Sequence, residues 1–511
     1  MPTPSKIDSN TAGLHIAEEY SLKTLPGENG APGTPTWYAI DVNSYPDFGA
    51  EIDTVSRSPI SQSRQNSKGT TTDKNANGGF NADMTMNTLT RFLQGFFFAD
   101  AREKFSTAPL NGARIAIADV DVDSYNAASG MDSFAVGHLV YASGFDDSAN
   151  NGLSKVTAAT ATDLTVDSTL VVDAAPNSDA KVEVCGYEFG VGDAALVVSA
   201  TQIRMTCTDA DTLGLTPGEW VFLGGDGALE QFDNNAPGYA RIKTVTATYI
   251  DFDETTFPAT TEAGGAKTIR MFFGTVIRNE LDKTLIKRRS YNLERSLGND
   301  GDGTQSQILV GSVANELTLN VNTADKTTID LAYVAMDDET RTGTDGLKAG
   351  TRVADPGEDA INTSQDAYRS RIAIVDPSAL NNPAMFAYVR EATITINNNV
   401  SGLKAIGTVG SFDTNVGNFD TGGSLTAYFN TVEAVRSITA NADVEYNIIQ
   451  AARNEAFIFD IPLLSLGGGK PDVSKDEAIT IPLEITGAKN DKGYTAMFCK
   501  LPYVPTVGMP S

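Results

Sequence analysis

Asp119-Val120-Asp121-Val122-Asp123 places three carboxylates at alternate positions. On a strand they would share one face, and hard cations favour such clustered oxygens. No calcium-loop glycine and distal glutamate follow, so a solvated acidic edge is the better reading. Asp300-Gly301-Asp302-Gly303 reads in the same way as a hairpin turn before a calcium loop. Gly467-Gly468-Gly469-Lys470 has the look of a phosphate loop, but the upstream glycine and the Ser or Thr after the lysine are missing, and Pro471 interrupts the pattern. It is read as a turn between two strands. Arg288-Arg289 lies in the main basic cluster, Lys283 to Leu297. Neighbours on a strand point to opposite faces, so the pair suits an inter-subunit salt bridge better than a grip on nucleic acid.

The remaining material for catalysis is thin. His15 and His138 are the only histidines, which removes imidazole triads and multi-histidine zinc sites. Cys185, Cys207 and Cys499 have neither paired nor metal-type spacing and read as reduced, half-buried residues. No catalytic residue, cofactor site or metal site is expected, and no enzyme. A carbohydrate-active protein built on paired carboxylates is the enzymatic rival, and nothing singles out such a pair.

Formal charge is −27, from 38 basic and 65 acidic residues, which argues against a surface that wraps DNA. Acidity serves solubility, or it keeps a surface near a polyanion without sticking to it. The first residues have no basic start followed by an apolar core, and no apolar run is long enough to span a bilayer. A chain of 511 residues exceeds one core, so roughly three or four domains are expected.

The elements that must carry these residues are mostly strands. Residues 1–50 are an arm of turns broken by Pro26-Gly27, Gly30 and Pro32-Gly33, with Trp37, Tyr38, Tyr45 and Phe48 as anchors. Trp37 and Tyr45 are candidates for contact with a neighbouring subunit. Leu89, Phe92, Leu93, Phe96 and Phe97 form an apolar stripe at helical spacing, with Asn87 as N-cap. Val432, Val435 and Ile438 form a shorter stripe, and Asn430 with Glu433 reads as a capping box. Ile308–Met336 is a long alternating run suited to a barrel wall. Residues 337–390 read as a long loop or connector.

The chain also repeats itself. Gly79 leads through a short strand to Asn87-Thr88 and a helical run; Gly422 leads in the same way to Asn430-Thr431. A second duplication lies within 111–273. Phe134–Val140 answers to Leu215–Val221, Val156–Ala158 to Val245–Ala247, and Lys181–Val184 to Lys267–Arg270. Two tandem all-β modules, 111–190 and 191–274, are therefore expected as an insertion.

Together these stretches resemble the major tail tube proteins of long, flexible-tailed bacteriophages. The likeness is carried by Trp37-Tyr38 and Asn43–Gly49, by Arg57–Gln65 with Lys68-Gly69, by Gly78-Gly79-Phe80 into the Phe-rich helix, and by Ile396–Val400, Leu425–Phe429 and Phe459–Pro462. The insertion lies outside it. The resemblance implies a mainly β fold: two tandem tail-tube-type antiparallel β-barrel or sandwich units, each with a flanking helix. The first unit would hold 51–110 and 275–336, and the second 391–511.

By the same resemblance, the chain would polymerise as stacked rings into a hollow tube in the virion tail, made in the host bacterial cytoplasm. Six units per ring imply three chains, or alternatively six. Tape-measure protein and phage DNA would occupy the lumen without specific binding, with tail terminator and tail-tip proteins at the ends and no membrane. Glu391, Asp413 and Asp420 are candidates for an acidic lumen that lets DNA pass during ejection. The inserted modules would decorate the exterior. The alternative is another phage or cell-surface structural or adhesion protein whose inserted modules bind a receptor or glycan.

Overall fold

The computed structural model describes residues 12–58, 65–87, 89–299, 303–376, 380–386 and 388–510, with Ile7 and Ile60. Along the chain the strands begin with β1 (Gly13–Glu18), β2 (Thr36–Ile40), β3 (Val42–Ser56) and β4 (Gly69–Asp83), followed by helix α1 (Thr90–Phe97). Next come β5 (Ile117–Val120), β6 (Ser124–Ala127), β7 (His138–Ser143), β8 (Gly152–Ala159), β9 (Asp163–Val166) and β10 (Lys181–Glu188). They are answered by β11 (Ala195–Ser199), β12 (Gln202–Thr206), β13 (Trp220–Leu223), β14 (Gly238–Thr246), β15 (Tyr249–Thr255) and β16 (Arg270–Phe272). Then follow β17 (Thr275–Arg278), β18 (Tyr291–Asn299), β19 (Thr304–Asn322), β20 (Thr328–Ala335), β21 (Asp337–Arg341), β22 (Thr351–Val353) and β23 (Ala367–Ile374). The last part holds β24 (Val389–Asn397), β25 (Ser401–Leu403), β26 (Asp413–Asn415), β27 (Asp420–Tyr428) and helix α2 (Val432–Thr439). It ends with β28 (Val444–Ala452), β29 (Glu455–Gly468), β30 (Thr480–Gly487) and β31 (Met497–Leu501). The fold is mainly β, as the alternating text predicts. The chain divides into two compact units: unit 1 holds residues 1–99, 282–362 and 391–425, and unit 2 the rest.

Unit 1 is a sandwich hinged on β19. The first half of β19 pairs with β18 and β21. Its second half pairs with β20 and β24. The change of sheet falls at Gly311, whose φ of 66° is costly for any residue with a Cβ, and where a Cβ would press on Met336 at 3.0 Å. β1 and β2 extend the first sheet through β18, while β4 and β3 extend the second through β20. A strand that moves between two sheets makes a corner instead of a closed wall, and no barrel closes among the described residues. Residues 391–425, placed by the sequence with the later half, join unit 1 because β24 lies against β19. The stretch read as a connector contains β21, β22 and β23, each paired in a ladder. The arm likewise enters the sheet through β1 and β2. Asp300, Gly301 and Asp302, and Ser61 to Arg64, lie outside the described residues.

Helix α1 forms where the apolar stripe predicts. Leu89, Phe92, Leu93, Phe96 and Phe97 are all buried. Phe92 meets Tyr291 at 6.2 Å and Phe96 meets Tyr333 at 5.2 Å, both edge to face. The N-cap is Leu89, not Asn87, whose backbone N–H donates to Glu358 Oε2 at 3.0 Å. In α2 the cap is Thr431, whose Oγ1 accepts from the Ala434 N–H at 3.4 Å, so the expected box of Asn430 and Glu433 is replaced by a single hydroxyl cap. Phe98 after α1 and Asn441 after α2 both turn left-handed, with φ of 50° and 51°. The repeat therefore extends to the way each helix ends.

In unit 2 the segment from β5 to β16 folds as two copies of one pattern. The first copy pairs β5–β6, β6–β9, β9–β8, β8–β7 and β7–β10. The second pairs β11–β12, β12–β15, β15–β14, β14–β13 and β13–β16 in the same order. Even the turns correspond. Gly137 and Gly218 have φ of 90° and 94°. His138 Nδ1 accepts from the Ala135 N–H, as Glu219 Oε2 accepts from the Thr216 N–H, each at 3.1 Å. The two tandem modules expected from the sequence join in one body. β10 pairs antiparallel with β16, making a twelve-stranded sheet, and one apolar cluster runs from Ile117 to Phe273.

Loss of the α1 stripe should be expensive. Phe92→Ala is expected to cost about 3–5 kcal/mol, read from the urea midpoint of the soluble protein. A variant that unfolds like the parent but no longer assembles would instead put the ring at a contact between copies.

Candidate functional site

The seven residues singled out in the sequence all fall in unit 1. Trp37 is wholly buried, packed with Ala17 and Leu25, and its Nε1–H donates to the Ala349 carbonyl at 3.1 Å. A ring enclosed in this way has no face for a neighbour. Tyr45 is half-buried, edge-on to Phe48 at 5.7 Å, with the Arg295 guanidinium 5.2 Å from its ring centre. Burial pushes its hydroxyl pKa up.

Arg288 and Arg289 precede β18 in extended chain outside any strand, and both find partners inside their own unit. Arg288 Nη2 meets Asp413 Oδ1 at 3.0 Å, and Arg289 Nε meets Glu18 Oε1 at 3.1 Å. The first pair joins two residues to which the sequence assigned different roles. The Thr414 N–H and Arg288 hold the Asp413 carboxyl below its ordinary range. Asp420 is exposed and accepts from Asn399 Nδ2 at 2.7 Å. Glu391 begins the β24 ladder opposite Asn322.

Other sequence candidates resolve as structure. The Asp119 strand ends at Val120, so the three carboxylates do not share a strand face; Asn126 Nδ2 instead donates to Asp119 at 2.6 Å and Asp121 at 3.0 Å. Gly467 and Gly468 are the last residues of β29, paired with Glu484 and Leu483 of β30, so the expected turn starts later than the sequence placed it; Gly468 and Gly469, with φ of 77° and 82°, bend left-handed where the strand stops.

Sequence reasoning missed the strand edges. β19 is paired on both sides of its second half, by β20 and by β24. In the later half of the chain, β28, β29 and β30 repeat the hairpin order of β18, β19 and β20. Residues 465–468 of β29 pair with β30 alone, and no described strand takes the place that β24 takes on β19. β3, which precedes β4 as β24 precedes β27, pairs with β4 alone among the described strands. An open edge and an open strand therefore remain on one chain. Beyond Ala50 the β3–β4 hairpin is largely exposed, and residues 54–72 carry Arg57, Arg64 and Lys68 with no acid.

The family model for phage tail tube protein matches residues 9–487. The chain belongs to that family. Among curated proteins none matches it. As a phage tail tube protein it is a structural component of the virion tail, and the family assembles its subunits into a tube in contact with other tail proteins.

Within unit 2 of this tail tube chain, the β5–β16 body is fastened to β28, β29 and β31 by charge as well as by apolar packing. Trp220, Phe222, Tyr239 and Phe272 share a core with Ile458, Met497 and Cys499. Arg241 on β14 meets Asp253 at 2.8 Å, Glu445 on β28 at 2.7 Å and Asp460 on β29 at 3.3 Å. Lys492 supports Asp253, and Glu254 is held by Arg369 and Arg371. Nothing in the sequence signals this cluster, because its members are separated by whole modules. Burial outweighs the pull of Arg241 and pushes Asp460 up to about 7.

Two outcomes follow. Deleting 111–273 removes Arg241 and leaves buried Glu445 and Asp460 without it, so the shortened chain is expected to be insoluble instead of forming bare tubes; recovery of soluble protein with a cooperative melt would contradict this. Because Asp460 holds its proton in the folded state to about pH 7 while the unfolded residue ionises near 3.8, its contribution to stability falls as pH rises through that window. Asp460→Asn is accordingly expected to gain in melting temperature relative to the parent between pH 4 and 7; an unchanged difference would show that Asp460 does not titrate there.

Proposed function

We propose that this chain builds the tube of a long, flexible phage tail as stacked rings of three chains, each chain filling two of six pseudo-equivalent positions. The observation that supports this reading is the pair of unmatched edges. Within the chain, β24 of the second repeat adds to β19 of the first. The corresponding contact, β3 of the first repeat on β29 of the second, is left for another copy to make. Such a contact is heterologous, and when its rotation closes it yields a ring. Closure also removes edges that would otherwise invite uncontrolled pairing.

The lumen in this reading is lined by Glu391, Asp413 and Asp420, with Asp413 largely neutralised by Arg288. A net charge of −27 suits a wall past which DNA slides during ejection without displacing counterions. The outer face of the double module decorates the exterior. Tape-measure protein fills the lumen before DNA, and terminator and tip proteins close the ends.

Negative-stain electron microscopy with mass measurement tests the proposal. Hollow tubes whose ring mass equals three chains are expected. Six chains per ring would keep the tube and defeat the fused-pair argument, and an assembly of another shape would favour a decoration or adhesion protein.

A further inference from the structure

The hairpin between β25 and β26 carries an apolar knob. Residues 405–412, Ala-Ile-Gly-Thr-Val-Gly-Ser-Phe, contain no charge. Ile406 is fully exposed, Val409 is 62% exposed and Phe412 52%. The knob is nonetheless a formed structure. Phe412 N–H donates to the Leu403 carbonyl at 2.9 Å, and Thr408 N–H to Ala405 at 3.2 Å. Its base is tied to the β4 strand through Lys404, which reaches Asn75 Oδ1 at 2.6 Å and Asp73.

Unit 2 carries a bare apolar face. Val432 on α2 is 62% exposed and Tyr388 73%, with Tyr428 and Ile479 beside them. These residues are contiguous along the backbone. Tyr428 N–H donates to the Tyr388 carbonyl at 3.1 Å, Phe429 N–H donates to Ile479 at 3.0 Å, and α2 begins at Val432. The repeat shows what is missing. Leu89 and Phe92 stand where Val432 and Val435 stand, and both are buried, Phe92 under the arm residue Tyr38 at 6.2 Å. The arm is used on α1, and among the described residues α2 has no such cover of its own.

We propose that the 405–412 knob of one chain seats against the Tyr388–Tyr428–Val432 face of α2 in a second copy. This inference rests on the tube reading, which supplies the second copy. Copies that each carry −27 repel one another, which favours contact through surfaces that bring no further negative charge and are rich in apolar area. The knob is free of charge, and beside Val432 on α2 the exposed Glu433 and Arg436 pair with each other at 3.2 Å, so that face carries no net charge. Two different surfaces on one chain form a heterologous pair, which propagates from copy to copy.

The test uses Ile406→Asp and Val432→Asp in the full chain, both at exposed positions where a charge does not disturb the fold. Each variant alone should melt like the parent and need a concentration about tenfold or more higher to assemble. Mixed in equal amounts, they should form heterodimers, because one intact knob and one intact face remain in the pair. Val191→Asp, an exposed valine elsewhere in unit 2, should assemble like the parent. Tubes from either single variant at the parental concentration would overturn the inference while leaving the tube reading intact. So would a mixture that stays monomeric, or failure of the Val191 variant. Failure of the unmodified protein to form tubes would strike the tube reading itself.

Discussion

Unit 1 depends on a backbone that changes sheet in the middle of β19. At Gly311 the left-handed turn lets one strand serve two sheets, and the Gly311 N–H is taken up by Glu19 Oε1 at 2.8 Å. Glu19 in turn accepts from Ser290 and Asn292, so a buried carboxylate holds three strands at the corner. Without this corner β24 would have no edge to join, and the contact that ties the second repeat to the first would be absent. Burial pushes the Glu19 carboxyl up, opposed by the hydrogen bonds it accepts.

Duplication acts at two levels and solves different problems at each. The outer repeat, α1 with β18–β20 and α2 with β28–β30, leaves complementary edges, so it suits growth from copy to copy. The inner repeat pairs β10 with β16 and closes on itself, giving a finished body with a continuous core. A body of that kind can be carried by a polymerising subunit without adding sites of polymerisation.

Local patterns were legible in the sequence and long-range partners were not. The α1 stripe, the alternation of Leu317, Leu319 and Val321, and both duplications follow from periodicity or from repeated words. Trp37 was misread because an aromatic residue among turn formers says nothing of whether it faces out or in; the Ala349 carbonyl that captures it lies far along the chain. Arg288 and Asp413 meet only because the 391–425 segment returns to unit 1. Arg241 looks like any solvated arginine until β14 is laid on β28 and β29. The helix caps failed for a related reason: Asn87 was claimed by Glu358 before it could serve its own helix.

The ladders of the inner repeat show where its two copies part company. Val182 lies opposite Ala142 as Met271 lies opposite Leu223, and Glu183 lies opposite Tyr141 as Phe272 lies opposite Phe222. One framework therefore carries a carboxylate in the first copy where the second carries an aromatic ring. Phe272 and Phe222 belong to the core shared with Ile458 and Cys499, whereas Glu183 pairs with Lys181 at 2.7 Å. The two copies thus keep one register while giving one position to apolar packing and its counterpart to charge, a division that two identical modules could not show.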